Sequence, residues 1–272
     1  MRILSICLLL CWLGTPLAAQ YSGDARSLAM GGSSAGLQGL RAVLANPAGM
    51  AFDSETGVLL FAENRFGLAD LKGVAAAASI SSGYGQFGLQ VHYFGFQGFN
   101  RQSASLAYAR RLMDRLSIGG KFDLIQTRIP EYGSESTIGF QLGFHARLLK
   151  KLHWAGHIIH PVQSDREGAQ ALTNIIRTAV TWEASPQIML TAEAEKNIDW
   201  PMRVRVGMEY AFLRQAFFRL GFSSEPSVFS FGLGYRKNRQ LGVDLGMSYH
   251  SILGPSPAFS LLYSFSKQDS KS

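Results

Sequence analysis

The feature that most constrains this chain is an apolar and polar alternation that recurs in segments of about ten residues. In the segment 202–212, Met, Val and aromatic residues occupy every second position, and Arg203, Arg205, Gly207 and Glu209 lie between them. Successive side chains of a β-strand point to opposite faces, so each such segment predicts a strand with one apolar and one polar face.

Fourteen candidate strands follow from residue 56 onward. They lie at 56–66, 72–80, 85–95, 102–111, 116–127, 136–149, 152–160, 173–184, 187–197, 203–213, 216–223, 227–237, 240–251 and 257–266. Tight turns at 112–115, 149–151, 185–186, 214–215 and 238–239 alternate with looser links such as 128–135 and 161–172. Short turns at one end of a barrel and longer loops at the other are typical of outer-membrane β-barrels. With an even number of strands, the chain enters and leaves the barrel on the same, periplasmic side.

The composition of the two faces separates this barrel from a soluble β-sandwich, which would show the same alternation. After residue 19 no apolar run of about 18 residues is present that could span a bilayer as a helix. Large aromatic residues lie near strand ends on the apolar face, as in an interfacial girdle: Tyr210, Phe212, Tyr235, Tyr249, Tyr263 and Phe265. The other face mixes charges of both signs with Gly and Ser. We predict an all-β, transmembrane antiparallel barrel of about 14 strands over residues 56–267.

Residues 1–19 have the pattern of a secretory signal peptide, with Arg2 before the apolar run 3–13 and small residues before the cut. The two cysteines, Cys7 and Cys11, both lie in this segment. The mature chain would therefore have no disulfide, no thiol chemistry and no cysteine-ligated metal. A lipoprotein at Cys11 is disfavoured because a bulky Leu precedes it. We expect a chain exported to the bacterial outer membrane, with residues 268–272 as a periplasmic tail.

Residues 20–55 do not follow the alternation. They contain the stretches Arg-Ser-Leu-Ala-Met-Gly-Gly-Ser-Ser-Ala-Gly at 26–36 and Asn-Pro-Ala-Gly-Met at 46–50. Small residues and a Pro-Ala-Gly turn predict a compact hatch inside the barrel. The candidate gate residues are Arg26, Met30, Gly31, Gly32, Asn46, Pro47 and Gly49.

These two motifs resemble the start of the FadL-type outer-membrane transporters and their PorV/PorQ-like relatives of Bacteroidota. The resemblance covers residues 24–51 at motif level and the remainder only as a strand pattern. It implies a fourteen-stranded barrel with an N-terminal hatch. The chain has Ser33 where the family usually has Ala, and it lacks the longer outer loops on which the fatty-acid members collect their ligand.

Two literal enzyme motifs lack the context that their chemistry needs. The G-x-S-x-G at 32–36 has no strand before it, whereas a hydrolase nucleophile elbow joins a strand to a helix. The G-x-G-x-x-G at 83–88 is followed by an alternating segment, and no acidic residue lies between Asp70 and Asp114 to hold a ribose. We predict that the protein is not an enzyme and has no cofactor.

The histidines His153, His157 and His160 would share one face of a helix, as zinc ligands do. On a strand, His153 and His157 lie about 13 Å apart and His160 faces away, so they cannot share one ion. A helical start at 148–152 would favour the metal. We prefer the strand, with no metal and with the histidines near a barrel rim.

The formal net charge of +7 does not predict a nucleic-acid partner, because the basic pairs at 110–111, 150–151 and 236–237 lie at turns and not on one face. A solvated turn explains these pairs, or contact with the anionic headgroups of outer-membrane lipid and lipopolysaccharide. On the polar face, Glu193 and Glu195 lie about 6.6 Å apart along one strand. Charged residues of the next strand could neutralise them. The predicted lumen charge network comprises Lys121, Asp123, Glu193, Glu195, Arg203, Arg205 and Glu209. It is either structural or a selectivity constriction.

Two functions follow from this pattern. The first is passive passage of small hydrophobic molecules through an outer-membrane barrel gated by residues 20–55. The alternative, implied by the PorV/PorQ-like resemblance, is an accessory barrel that binds secretion-system proteins in type IX secretion or surface assembly. The face assignment also predicts that Val206→Arg costs roughly 2–4 kcal/mol, and that Gly207→Arg on the lumen side costs much less unless it packs against the hatch.

Overall fold

The computed structural model describes residues 23–130, 133–160, 174–197, 200–238 and 240–265. Within these residues, fourteen strands form one closed antiparallel barrel in which sequence neighbours pair and the last strand closes on the first. The strands are β1 Gly57–Asn64, β2 Lys72–Ser82, β3 Gly85–Phe96, β4 Phe99–Met113, β5 Leu116–Ile129, β6 Gly133–Leu149, β7 Leu152–Ile159, β8 Ile175–Glu183, β9 Ile188–Asn197, β10 Arg203–Ala211, β11 Ala216–Ser223, β12 Val228–Lys237, β13 Leu241–His250 and β14 Gly254–Ser264. The predicted number, order and antiparallel pairing of strands are confirmed.

Three strands begin three residues before their predicted starts, at Phe99, Gly133 and Gly254. Polar residues, Gly and Pro interrupt the alternation there, yet the backbone ladder to the preceding strand continues, as in the pairing of Gly133 with Ile129. Only residues 130–132 therefore lie between β5 and β6, where a loose link over 128–135 was predicted. The link predicted at 161–172 lies entirely outside the described residues.

The two ends of the barrel differ. At the end where β1 begins and β14 finishes, successive strands are joined by two to four residues, and we call this the turn end. At the opposite end, the loop end, the connections run from two to fifteen residues. A short 3₁₀ helix, Arg65–Gly67, lies in the first of the loop-end connections.

The predicted faces of the strands are observed. On β10, Val206 is 43% exposed on the outer face, whereas its neighbour Arg205 is 7% exposed on the inner face. The same division holds on β5, where Phe122 and Leu124 are exposed outside and Asp123 is buried inside. All six aromatic residues of the predicted girdle are exposed on the outer face. In the described part of the chain, no helix is both long enough and apolar enough to cross a membrane.

Residues 23–52, which we call the inner segment, lie inside the barrel. They form α1, Ala25–Ala29, and two 3₁₀ helices, η1 Gly39–Leu44 and η2 Pro47–Ala51. Their apolar side chains, including those of Leu40, Val43 and Met50, form one buried cluster with inward-facing wall residues. On β2 and β4 those wall residues are alanines, namely Ala75, Ala77, Ala107 and Ala109. Small wall side chains leave the space that the inner segment fills.

Local sequence explains why α1 is short. Asp24 caps its first turn by accepting a hydrogen bond from the backbone N–H of Ser27 at 3.0 Å. The helix ends at Ala29, and Gly31 and Gly32 follow it with φ angles of +73° and +81°, in the left-handed region that glycine adopts without steric cost. The Gly32 N–H donates to the Ser27 carbonyl at 2.8 Å and closes the last turn.

Candidate functional site

A chain of six alternating charges connects the inner segment to three wall strands. In order of contact its members are Arg26, Glu209, Arg219, Asp244, Arg41 and Asp24. The successive N–O distances are 2.7, 2.6, 2.7 and 2.5 Å, and Arg41 contacts Asp24 directly. Three members belong to the inner segment, and the other three belong to β10, β11 and β13.

This charge chain is neutral and both of its ends lie at α1, because Asp24 caps the helix and Arg26 lies in it. The Arg26 guanidinium donates from Nε and Nη2 to the two Glu209 carboxylate oxygens, at 2.7 and 2.9 Å. Such bidentate pairs are strong and fix orientation as well as contact. Removing one member would leave a buried charge without its partner, which costs more than the intact pair contributes. The chain therefore fixes where α1 docks on the wall.

A second cluster, nearer the loop end, contains two glutamates of β9 and three wall arginines. Glu193 lies 2.6 Å from Arg205, and Glu195 lies 2.6 Å from Arg177 and 3.2 Å from Arg203. The Glu193 carboxylate also accepts hydrogen bonds from two backbone N–H groups of the inner segment, those of Ser34 and Ala35, at 2.8 and 2.7 Å. Three arginines face two glutamates, so the cluster carries one positive charge in excess.

The structure divides the predicted lumen network into three groups. Glu209 belongs to the charge chain at α1, whereas Glu193, Glu195, Arg203 and Arg205 belong to the second cluster. The remaining two lie apart on β5. Lys121 Nζ is 3.3 Å from the Val43 carbonyl of η1, and Asp123 accepts a hydrogen bond from Gln141 at 2.5 Å.

Sequence reasoning missed five of the residues that complete these clusters: Asp24, Arg41, Arg177, Arg219 and Asp244. The alternation does indicate that the wall residues Arg177, Arg219 and Asp244 face the lumen, because each occupies a polar position of an alternating strand. For Asp24 the signal was its place just before a short helical stretch, where an aspartate is a good cap. No pattern in the sequence singled out Arg41.

The predicted gate residues Met30 and Gly31 lie directly against the wall. A Cβ atom on Gly207 of β10 would lie 2.7 Å from Met30 Cβ, and one on Gly31 would lie 2.6 Å from the Phe222 carbonyl oxygen of β11. A Cβ atom on Gly221 of β11 would lie closer still, at 2.0 Å from the Gly31 backbone nitrogen. The inner segment and the wall thus meet backbone to backbone, and glycine is required on both sides.

The Asn-Pro-Ala-Gly motif forms the second contact with the wall. The Asn46 side-chain NH₂ lies 3.0 Å from the Ala35 carbonyl oxygen, 3.1 Å from that of Phe144 on β6 and 3.3 Å from that of Gly156 on β7. Pro47 is the first residue of η2, where its missing N–H costs nothing. Gly49 packs against the Leu37 carbonyl oxygen so closely that a Cβ atom would clash.

Replacing Asn46 by Ala should therefore lower the free energy of unfolding by about 1–3 kcal/mol, because buried backbone carbonyls lose their donor. Urea unfolding in detergent would measure the loss. Asn100→Ala, on β4 close to the loop end, is the control and should change stability by less than about 0.5 kcal/mol. Equal stability of Asn46→Ala and the unaltered protein would contradict the anchoring role of this side chain.

All three histidines are buried inside the barrel, with His153 near the turn-end start of β7 and His160 just beyond its other end. His160, which was predicted to face away from the other two, is buried against Gly139 of β6. The alternation of β7 turns His153 and His157 inward, where the inner segment covers them. His153 Nδ1 lies 3.3 Å from His145 Nε2, and the Gln38 side chain lies within 3.3 Å of both rings. Among the described residues, no group of three or more His, Asp or Glu side chains is placed to hold a metal ion.

Above α1, towards the loop end, the barrel encloses a cavity of about 330 Å³ that we call the vestibule. Its floor is formed by α1 and the glycines after it. Its walls carry both aromatic and polar side chains, the latter being Glu63, Arg65, Arg203, Arg205, Ser223, Ser230, Ser248, His250 and Ser256. The inner segment thus separates a polar chamber at the loop end from the turn end.

The fold and the filled interior define the class: a fourteen-stranded barrel occupied by its own N-terminal segment. Neither the protein-family models nor the curated proteins contain a match to the sequence. Solved structures do match. The toluene transporter TodX of Pseudomonas putida superposes with a TM-score of 0.72 at 11% identity, covering 92% of this chain and 100% of that one.

Two further structures give the same result. The toluene transporter TbuX of Ralstonia pickettii matches with a TM-score of 0.68 at 12% identity, over 91% of this chain and 99% of that one. A FadL homologue of Pseudomonas aeruginosa matches with a TM-score of 0.65 at 14% identity, over 90% and 99%. At these identities the likeness establishes the fold, and the fold expected from the FadL-type resemblance is confirmed.

Proposed function

We propose that the protein is a bacterial outer-membrane barrel that passes small hydrophobic molecules, and that the inner segment gates its lumen. The observation that carries the proposal is the inner segment itself, which fills the barrel and is tied to the wall by two ion-pair clusters. The toluene transporters with the same fold support the class of cargo.

The outer surface supports a membrane location. Strand after strand presents apolar side chains outward, such as Phe122, Leu124 and Val206, and a water-exposed barrel would not favour so many exposed apolar residues. The basic pair Lys150–Lys151 lies exposed at the turn end, where it would meet anionic headgroups.

In the proposed organisation, residues 20–55 are the hatch and residues 56–267 are the membrane barrel. The predicted signal peptide 1–19 and the predicted tail 268–272 lie outside the described residues.

Gating would require the inner segment to shift, because it meets the wall without a gap at Gly207 and Gly221. A shift breaks ion pairs, but it brings the separated charges into lumen water, which hydrates them. Buried ion pairs of this kind hold a segment in one place while remaining separable when water can enter. The polar interior is thus suited to a hatch that docks and moves, and the apolar outer face to a fixed barrel.

The alternative of an accessory barrel in type IX secretion gains no support from the structures that share the fold, and the PorV/PorQ-like resemblance stays a prediction. Affinity purification from detergent-solubilised outer membrane would test it. Co-purification of secretion components, with no uptake defect in a deletion strain, would favour the accessory role over transport.

A reversible lock tests the gate. The hydroxyl oxygens of Ser33 and Thr191 are 3.1 Å apart between the inner segment and β9, and the chain has no cysteine beyond residue 19. Ser33→Cys/Thr191→Cys should therefore form a disulfide that fixes the inner segment to the wall. In cells with an intact outer membrane, the unaltered barrel should speed uptake of the hydrophobic dye N-phenyl-1-naphthylamine. Oxidation of the double variant should abolish that gain, and a reductant should restore it.

The two single-cysteine variants are the controls and should behave as the unaltered barrel does under oxidant and reductant. Mass spectrometry of the oxidised double variant verifies the bond. Full uptake through the oxidised, verified double variant would contradict gating by the inner segment. No uptake above that of cells lacking the barrel would contradict passage of hydrophobic molecules.

A further inference from the structure

We propose that the vestibule is a binding site for a small hydroxylated carboxylate, of the chemical class of hydroxy acids and sugar acids. This inference goes beyond the passage of hydrophobic molecules, because it concerns recognition in a polar chamber at the loop end. It rests on a row of serine hydroxyls, a local excess of positive charge and the size of the cavity.

The serine row crosses three adjacent strands. Ser230 of β12 lies directly opposite Ser248 of β13, which lies directly opposite Ser256 of β14. Directly paired residues on one face of a sheet have side chains about 5 Å apart, so the row offers hydroxyls at regular intervals. Ser256 Oγ already accepts a hydrogen bond from the Phe66 N–H at 2.8 Å, which leaves its own hydrogen to donate.

The hydroxyl of Ser230 indicates where a hydrogen-bonding ligand would lie in the vestibule. It is only 4% exposed, it lines the vestibule, and its Oγ has no hydrogen-bond partner among the described residues. Buried hydroxyls are almost always hydrogen-bonded, because an unmade hydrogen bond costs free energy. A ligand hydroxyl in the vestibule would satisfy Ser230 and could bridge to Ser248.

The positive charge lies on the neighbouring wall. The second cluster has one arginine more than it has glutamates, and two of its arginines, Arg203 and Arg205, line the vestibule. The Arg203 side chain is 35% exposed, far more than the 8% of Arg205. Its Nε donates to the Glu225 carbonyl oxygen and its Nη1 to Glu195, so its Nη2 is the nitrogen left for a ligand. On the opposite wall Arg65 is neutralised by Glu63 at 2.6 Å. A ligand carboxylate would therefore be held at Arg203.

Size and chemistry select the ligand class. A cavity of about 330 Å³ lies at the small end of ligand sites, which excludes a long-chain molecule lying entirely within it. An apolar molecule would leave the serine row and the excess charge without partners, at a cost in free energy. A neutral polyol would use the serines and leave Arg203 unused. A hydroxylated carboxylate uses both.

Calorimetric titration of the purified mature barrel in detergent tests the proposal with three probes of similar size. Gluconate carries both the carboxylate and hydroxyls, sorbitol lacks the charge, and hexanoate lacks the hydroxyls. Gluconate should bind at least about tenfold more tightly than either of the others. Equal affinity for hexanoate or for sorbitol would overturn the proposal, and so would the absence of gluconate binding.

Substitutions locate the site. Arg203→Gln should weaken gluconate binding by about tenfold or more, and Ser230→Ala/Ser248→Ala by about fivefold or more. Ser105→Ala is the matched control, because Ser105 is a buried, inward-facing serine of β4 outside the vestibule, and gluconate affinity should not change. Equal losses in the Ser105 and Ser230/Ser248 variants would overturn the assignment. Because dye uptake is measured separately, failure here leaves the transport test intact.

Discussion

Deletion of residues 23–50 should turn the closed barrel into a conducting pore in planar lipid bilayers. Barrels of eight strands are filled by their own side chains, whereas wider barrels leave room for water or a plug. Here the wall of fourteen strands presents alanines and glycines to much of the apolar part of the inner segment, as at Ala75, Ala107 and Gly119. These short side chains cannot close the lumen once the inner segment is gone. Water and ions should therefore pass.

The measurement is single-channel conductance, with folding verified by heat-modifiable gel migration. The unaltered barrel should show little or no conductance, and the oxidised Ser33→Cys/Thr191→Cys variant should show none. The deletion should give long-lived steps that exceed any brief openings of the unaltered protein. A deleted barrel that migrates as folded and stays closed would mean that wall side chains, and not the inner segment, block the lumen.

The sequence predicts the barrel wall well because its signal is local and repeated. A period of two residues assigns a face to every residue of a strand, so Arg205 and Val206 could be placed on opposite sides without a structure. Strand ends were less accurate, since the hydrogen-bonded ladder extends past the point where alternation stops, as at Gly133. The ladder depends on the partner strand, which the alternation of one strand does not contain.

The interior was predicted only in part. The face of Lys121 was assigned correctly, but its Nζ donates to the backbone carbonyls of Val43 and Ala45 and to the Gln90 side chain, and lies outside both ion-pair clusters. Partners across a lumen depend on the path of the inner segment, which no short-range pattern encodes. Arg41 illustrates the limit, since it bridges Asp24 near its own end of the chain and Asp244 on β13. The motifs at 26–36 and 46–50 pointed to contact with the wall, but not to which strands.

Gly207 shows where this limit changes an expected result. From the alternation alone, an arginine there would face lumen water and be tolerated better than an arginine at Val206. The structure instead places Met30 where a side chain at Gly207 would begin, with its Cβ at 2.7 Å and its carbonyl oxygen at 2.8 Å. The condition attached to the sequence-based expectation, packing against the hatch, is met. The two substitutions should therefore fail in different ways.

Val206→Arg should destabilise the barrel by about 2–4 kcal/mol, because hydrocarbon offers a guanidinium no hydrogen bonds, but the folded protein should stay closed. Gly207→Arg leaves the outer face apolar and should expel the inner segment from β10, giving a folded barrel that conducts. Urea unfolding in lipid measures the first effect and bilayer conductance the second, with Val206→Leu as the control for both. Gly207→Ala should conduct less than Gly207→Arg, because a single methyl group displaces Met30 by a smaller distance than an arginine side chain does. A closed, fully stable Gly207→Arg barrel would contradict the docking of Met30 against β10, and a conducting Val206→Arg barrel would contradict its outward face.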